Sequence, residues 1–179
     1  MANRELTDVK QKLTSLVAGS DETKKTLGKK PVAKKNTGKN RRKSRELVLK
    51  AVYRGMLNAS DLASVFRDMA EDPDYNKADE AYFKFLLESV TNHVHALDEK
   101  MASFIDRKIT ELSPVEHAIL RISGCELMFD MSIPYRVVIN EGVELAKIYG
   151  GTDGHKYING VLDKLALDVR TAEVKNIKK

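Results

Sequence analysis

Ser113 to Asp130 reads SPVEHAILRISGCELMFD, and this stretch decides the fold. Serine is a good helix N-cap, proline suits the first helical position, and a glutamate follows three residues after the serine. The helix predicted over 114–130 is apolar nearly all round, through Val115, Ala118, Ile119, Leu120, Ile122, Cys125, Leu127 and Met128. Only a narrow polar edge remains, including Glu116, Ser123 and Asp130. A helix of that kind is central and surrounded by others.

Working outward, Ile133-Pro134 starts a helix that Gly150-Gly151 stops. Thr152 or Asp153 then caps a last helix, 153–169, with Ile158, Val161, Leu162, Leu165 and Val169 on one face. On the N-terminal side, 77–95 is predicted as a long helix with Phe83, Leu86, Leu87, Val90 and Val94 inward. A bend is expected near Leu97-Asp98, with a further helix to about Thr110. The turn EDPDYN separates this from a short helix capped by Ser60-Asp61 and ending near Ala70. Residues 44–58 carry Leu47, Val48, Leu49, Ala51, Val52 and Met56 on a broad apolar side. Lys43, Glu46, Lys50 and Arg54 form the opposite polar stripe. No strand-like alternation occurs. The expected class is all-α, about seven helices in one or two packed sub-bundles.

Charge is unevenly spread. From Glu22 to Arg45 there are 11 Lys or Arg and one acid, a net of +10. The whole chain of 179 residues carries +5, so the remainder carries −5. An acidic helical body with a basic arm points to an anionic partner met at one place. Residues 1–20 place Leu6, Val9, Leu13 and Leu16 at helical spacing, and 21–40 repeat lysine pairs among Gly, Pro and Thr. The expected organisation is a disordered or weakly helical basic extension over 1–40, a helical domain over 41–170, and a basic tail over 171–179. The arm's densest charge runs into a helix start, where the backbone dipole already favours negative charge. An external anion is one way to compensate.

Enzyme chemistry finds little support. His93 and His95 are two apart and point in different directions on a helix, unlike a zinc pair. Cys125 sits among apolar residues, where a thiol is inert, and as the lone cysteine it forms no intramolecular disulfide. GGTDGH at 150–155 lacks both a preceding strand and a Gly-Lys-Ser/Thr ending, so it is a helix stop followed by a start. The acids at 71–74 lack calcium-loop spacing. No cofactor or metal is called for. There is no signal-peptide pattern, and no apolar run approaches the roughly 20 residues needed to span a bilayer. A cytoplasmic, non-catalytic protein is expected. The basic arm leaves RNA or DNA binding, or a helical protein–protein adaptor whose tail attracts any polyanion.

Four ordered segments narrow this. RRKSRELVLKAVY, SPVEHAILRISGCEL, IPYRVVINEGVELAKIYGG and TDGHKYINGVLDKLA closely resemble the NusB family of bacterial transcription antitermination factors. The resemblance runs from about Arg41 to Val169. It implies an all-helical fold of two small packed helical subdomains and no catalysis. It implies binding of boxA-type single-stranded RNA together with ribosomal protein NusE. The pair then acts with the RNA polymerase elongation complex and other Nus factors during ribosomal RNA synthesis. By motif, it implies RNA contacts at Arg41, Arg42, Lys43, Arg45 and Tyr53, and at Asp153, Lys156 and Tyr157. It puts Tyr82 and Glu88 near the NusE surface. Residues 1–40 extend beyond the family core, and Gly154 stands where the family commonly has a hydroxyl residue. Similar domains also occur fused to RNA cytosine methyltransferases; this chain stops about ten residues after the last predicted helix, so no methyl transfer is expected.

Overall fold

Asn40 opens the first helix, α1 (Arg41–Asn58), by accepting the Lys43 N–H on its side-chain oxygen at 3.1 Å. The helix therefore begins three residues earlier than the apolar pattern predicts, and the arginines lie in its first turn. The computed structural model describes residues 40–58 and 62–176. The expected arm over 1–39, the Ser60-Asp61 cap and residues 177–179 lie outside the described residues.

Seven further helices follow: α2 (Leu62–Ala70), α3 (Glu80–Asn92), α4 (Val94–Ala102), α5 (Pro114–Phe129), α6 (Tyr135–Tyr149), α7 (Gly154–Val169) and α8 (Thr171–Asn176). Short 3-10 turns at Tyr75–Lys77 and Ile109–Glu111 complete the order. Among the described residues there is no strand, only an isolated bridge between Asn40 and Ala78. The all-helical expectation holds.

The start of α5 follows its local chemistry. Ser113 Oγ accepts the Glu116 N–H at 3.2 Å and Pro114 occupies the first turn. The helix is the shared element: α1, α3 and α4 pack on it from one group, α6 and α7 from the other. Ala118, Ile119, Leu120, Ile122 and Leu127 are completely buried. Truncating such a leucine or isoleucine to alanine costs about 2–5 kcal/mol. Close approach of α6 depends on Gly142, where an added Cβ would lie 2.6 Å from Ser123 Oγ.

Two predicted boundaries move. The long helix over 77–95 is α3, capped by Asp79, whose carboxylate accepts the Tyr82 N–H at 3.2 Å. It breaks at His93 rather than at Leu97-Asp98, because the His93 ring nitrogen Nδ1 closes on the Ser89 carbonyl at 2.7 Å and its backbone leaves helical geometry. The helix expected to reach Thr110 ends at Ala102. There Phe104 and Ile105 turn inward against the core, and both of their N–H groups bond the Met101 carbonyl.

The segment read as a basic tail begins with α8, and Arg170 at its threshold is buried. Its guanidinium donates to the carbonyls of Leu127 (2.7 Å), Glu126 (3.0 Å), Asp130 (2.6 Å) and Ile133 (3.4 Å). A cation thus gathers four carbonyls at and just beyond the C-terminus of α5, of which those of Glu126 and Asp130 also accept a backbone N–H. Arg170 also pairs with Glu173 at 3.1 Å, and Glu173 accepts the Tyr135 N–H at the start of α6 at 3.0 Å.

Candidate nucleic-acid interface

The first turn of α1 contains no acid, yet two of its cations, Arg42 and Lys43, are already matched by carboxylates. Arg42 Nη2 reaches Glu144 Oε2 on α6 at 3.4 Å. Lys43 Nζ reaches Glu46 at 2.7 Å and Asp74 at 3.4 Å, and the Glu46 hydrogen bond, ahead of Asp74, raises its pKa. The unfavourable dipole contact is therefore offset within the fold, and an external anion enters by exchange. Arg41 has no carboxylate partner among the described residues. Its guanidinium lies 4.6 Å from the centroid of the Tyr82 ring, a cation–π contact worth about 0.5–1 kcal/mol when exposed.

Arg45 behaves differently from its neighbours, and its expected contact with RNA is corrected. It is 4% exposed. Its Nε donates to Glu126 Oε1 and Oε2 at 2.9 and 3.1 Å, and Nη2 lies 2.8 Å from Oε1. Glu126 is 1% exposed, and burial pushes its carboxyl above the ordinary range against the pull of Arg45. The Tyr82 hydroxyl donates to the same carboxylate. Tyr82 is only 7% exposed, so its expected place on a partner surface is corrected too: it is an interior residue beneath Arg41. Glu88, also on α3, is half-buried and stands next to exposed Phe85 on the same helix.

The second group gathers at the start of α7. Asp153 and Lys156 are exposed and pair with each other at 2.8 Å, a contact that solvent makes weak. Tyr157 is half-buried, and Arg107 lies over its ring at 4.7 Å from the centroid. Burial, then the charge of Asp106, raises the pKa of the Tyr157 hydroxyl. Gly154 is buried against Glu116; a Cβ there would sit 3.0 Å from Glu116 Oε1.

The last turns of α6 connect the two groups. Glu144 bridges Arg42 and Lys147, the latter at 2.7 Å. Tyr149 donates to Glu46 of α1 at 3.4 Å. Gly150 ends α6, and α7 begins at Gly154. Tyr53 joins neither group: it is half-buried 11 residues beyond Arg42 on α1, about 16 Å along the helix axis.

Other chemistry is structural. His117 Nε2 and Arg121 both hold Asp98, at 2.8 Å and, for Arg121, 2.8 and 2.5 Å. Burial pushes the Cys125 thiol up to about 11. No cluster of metal-ligating side chains occurs among the described residues, and none of their helices is long and apolar enough to cross a membrane. An apolar cleft of about 210 Å³ lies between Val52, Met56, Leu87 and Val90, with Arg121 at its edge.

The sequence did not single out Glu126, Glu144, Asp74 or Arg107. Glu126 had a signal, since an acid among the apolar residues of the last turns of α5 needs a buried cation. Glu144 had none, because its partner is 102 residues away.

Comparison with known proteins adds an independent line. The NusB family profile matches residues 42–167. The transcription antitermination protein NusB of Methylobacillus flagellatus is 57% identical over 145 residues, covering 81% of this chain and 93% of that protein. The protein of the same name from Bordetella pertussis is 48% identical over 146 residues, covering 79% and 95%. The solved structure of T. maritima NusB superposes with a TM-score of 0.66 at 26% identity, covering 77% of this chain and 99% of that one. A crystal structure of antitermination factors NusB and NusE in complex with double-stranded RNA gives 0.62 at 25% identity, covering 70% and 94%.

Proposed function

The chain belongs to the NusB family, and on that premise we propose that it is a transcription antitermination factor that binds boxA-type single-stranded RNA together with ribosomal protein NusE. It acts in the cytoplasm with the RNA polymerase elongation complex and other Nus factors during ribosomal RNA transcription. The RNA-binding domain is 41–170. Arg41, Arg42 and Lys43 take backbone phosphates, and Asp153, Lys156 and Tyr157 at the start of α7 meet the bases. Tyr53 extends the RNA path along α1. The Phe85–Glu88 face of α3 receives NusE.

The observation that carries this reading is the junction at the end of α6. Glu144 and Tyr149 tie the cationic start of α1 to a helix that ends four residues before α7 begins. Cations fix register on the strand, and side chains at the helix ends read bases. About three neutralised phosphates give a slope of roughly −2 for log K against log salt, at about 0.7 each for single strands.

The test is an anisotropy titration of the full chain with boxA-type RNA and a scrambled control, with and without NusE. Wild-type protein prefers the boxA-type strand. Arg41→Ala combined with Arg42→Ala weakens binding to both RNAs and brings the slope to about −0.7. An unchanged slope removes these residues from the site. Equal affinity for both strands, with or without NusE, refutes the function.

A further inference from the structure

Tyr157 does not offer a bare ring. Its hydroxyl oxygen is buried, so the molecule can present this residue to a ligand only through its ring face. That ring carries the guanidinium of Arg107, 4.7 Å from its centroid. Arg107 belongs to the segment between α4 and α5, and its side chain is 45% exposed. Asp106 holds the guanidinium by two of its N–H groups, from Nε at 2.8 Å and from Nη2 at 3.4 Å. Arginine has five such donors in one plane, so three remain for a ligand. A planar cation fixed over a tyrosine and open to solvent is itself a surface on which a base can stack.

We propose that Arg107 and Tyr157 form a two-layer stacking platform, and that an unpaired nucleobase of single-stranded RNA lies on the outer face of the Arg107 guanidinium. This rests on the RNA-binding function proposed above and adds a contact residue to that site. Asp106 orients the guanidinium and is a positioning residue. At the start of α1, Arg41 also lies over a tyrosine, 4.6 Å from the Tyr82 ring centroid, but among the described residues no carboxylate holds its guanidinium as Asp106 holds that of Arg107. Free nucleotides share the base but lack a continuous strand, and they serve as a control.

The experiment uses the full chain and a boxA-type RNA in which each nucleotide in turn is made abasic. One abasic position weakens wild-type binding about tenfold, the scale of one stacked base. Arg107→Ala weakens binding to the intact strand by about the same factor and abolishes the penalty at that position. Arg107→Lys retains the charge but not the plane, and recovers less than half of the loss on a logarithmic scale. Because the side chain is exposed, thermal midpoints of both variants match wild type, and circular dichroism checks that they do. Three results overturn the proposal: Arg107→Ala binding within twofold of wild type, full recovery in Arg107→Lys, or an abasic penalty that persists in Arg107→Ala. A free nucleotide that saturates the protein as tightly as the strand also overturns it. Wild-type protein that binds scrambled RNA as well as boxA-type RNA refutes the family function instead, and the abasic scan on that strand still tests the platform.

Discussion

Replacing Arg45 with alanine separates two roles that a run of cations confounds. The structure makes Arg45 the buried counter-ion of Glu126, with side chains 5% and 1% exposed and three nitrogen–oxygen distances between 2.8 and 3.1 Å. Removing one partner of such a pair leaves an uncompensated charge in the interior, which costs about 3–5 kcal/mol. With a urea dependence of about 2 kcal/mol per molar, the midpoint falls by about 2 M. Burial already raises the Glu126 carboxyl, and without Arg45 it rises further. An acid whose folded pKa exceeds its unfolded value destabilises progressively as pH rises above the unfolded value. The variant is therefore more destabilised at pH 7 than at pH 5. Adding Glu126→Leu removes one of the two carboxylates that face Arg45 and restores part of the loss, though Glu141, whose Oε2 lies 3.7 Å from the Arg45 guanidinium, then lacks its cation and the Tyr82 hydroxyl lacks its acceptor. At a temperature where the single variant is folded, its salt slope for RNA equals that of wild type. A midpoint shift below about 0.5 M, together with a slope lower by about 0.7, would falsify the interior assignment and return Arg45 to the RNA surface.

Glu144→Gln frees Arg42 from an exposed ion pair, so RNA affinity rises up to about fivefold for boxA-type and scrambled strands alike; an anisotropy titration reads it. Asp98 faces burial, which raises its pKa, but Arg121 and His117 overcome this and hold it at about 2. Its contribution is complete above about pH 4 and is lost as pH falls through about 2. It amounts to no more than about 2 kcal/mol after allowance for solvent screening, and Asp98→Asn flattens that part of an acid-unfolding profile. Arg170→Met removes the buried donor of the Leu127 carbonyl and a second donor of the Glu126 and Asp130 carbonyls, and costs about 1–3 kcal/mol, read as a urea midpoint lower by about 1 M.

The helices that were legible are those whose signals are local. Ser113 and Pro114 start α5 as expected, and the spacing of Ile158, Val161, Leu162 and Leu165 orients α7 inward. The break at His93 and the short α4 were not legible, because both depend on where Phe104, Ile105 and the Ser89 carbonyl meet the rest of the fold. Arg45 and Tyr82 are instructive in another way. Arg45 precedes Val48 and Leu49 by three and four residues, and Tyr82 precedes Leu86 by four, so periodicity alone put both on buried faces. A reading by charge run and motif overrode that pattern. Arg107 could not be read at all, since its relation to Tyr157 exists only after the chain between α4 and α5 has folded back over α7.

The matched cations at the start of α1 bear on timing. Arg42 and Lys43 are already occupied by Glu144, Glu46 and Asp74, so the field of these two cations is muted and their own steering of passing polyanions is modest. Any strand that lands must displace those carboxylates, and one that offers no base to the start of α7 has little to slow its departure. Discrimination among strands then resides in residence time rather than in the rate of encounter.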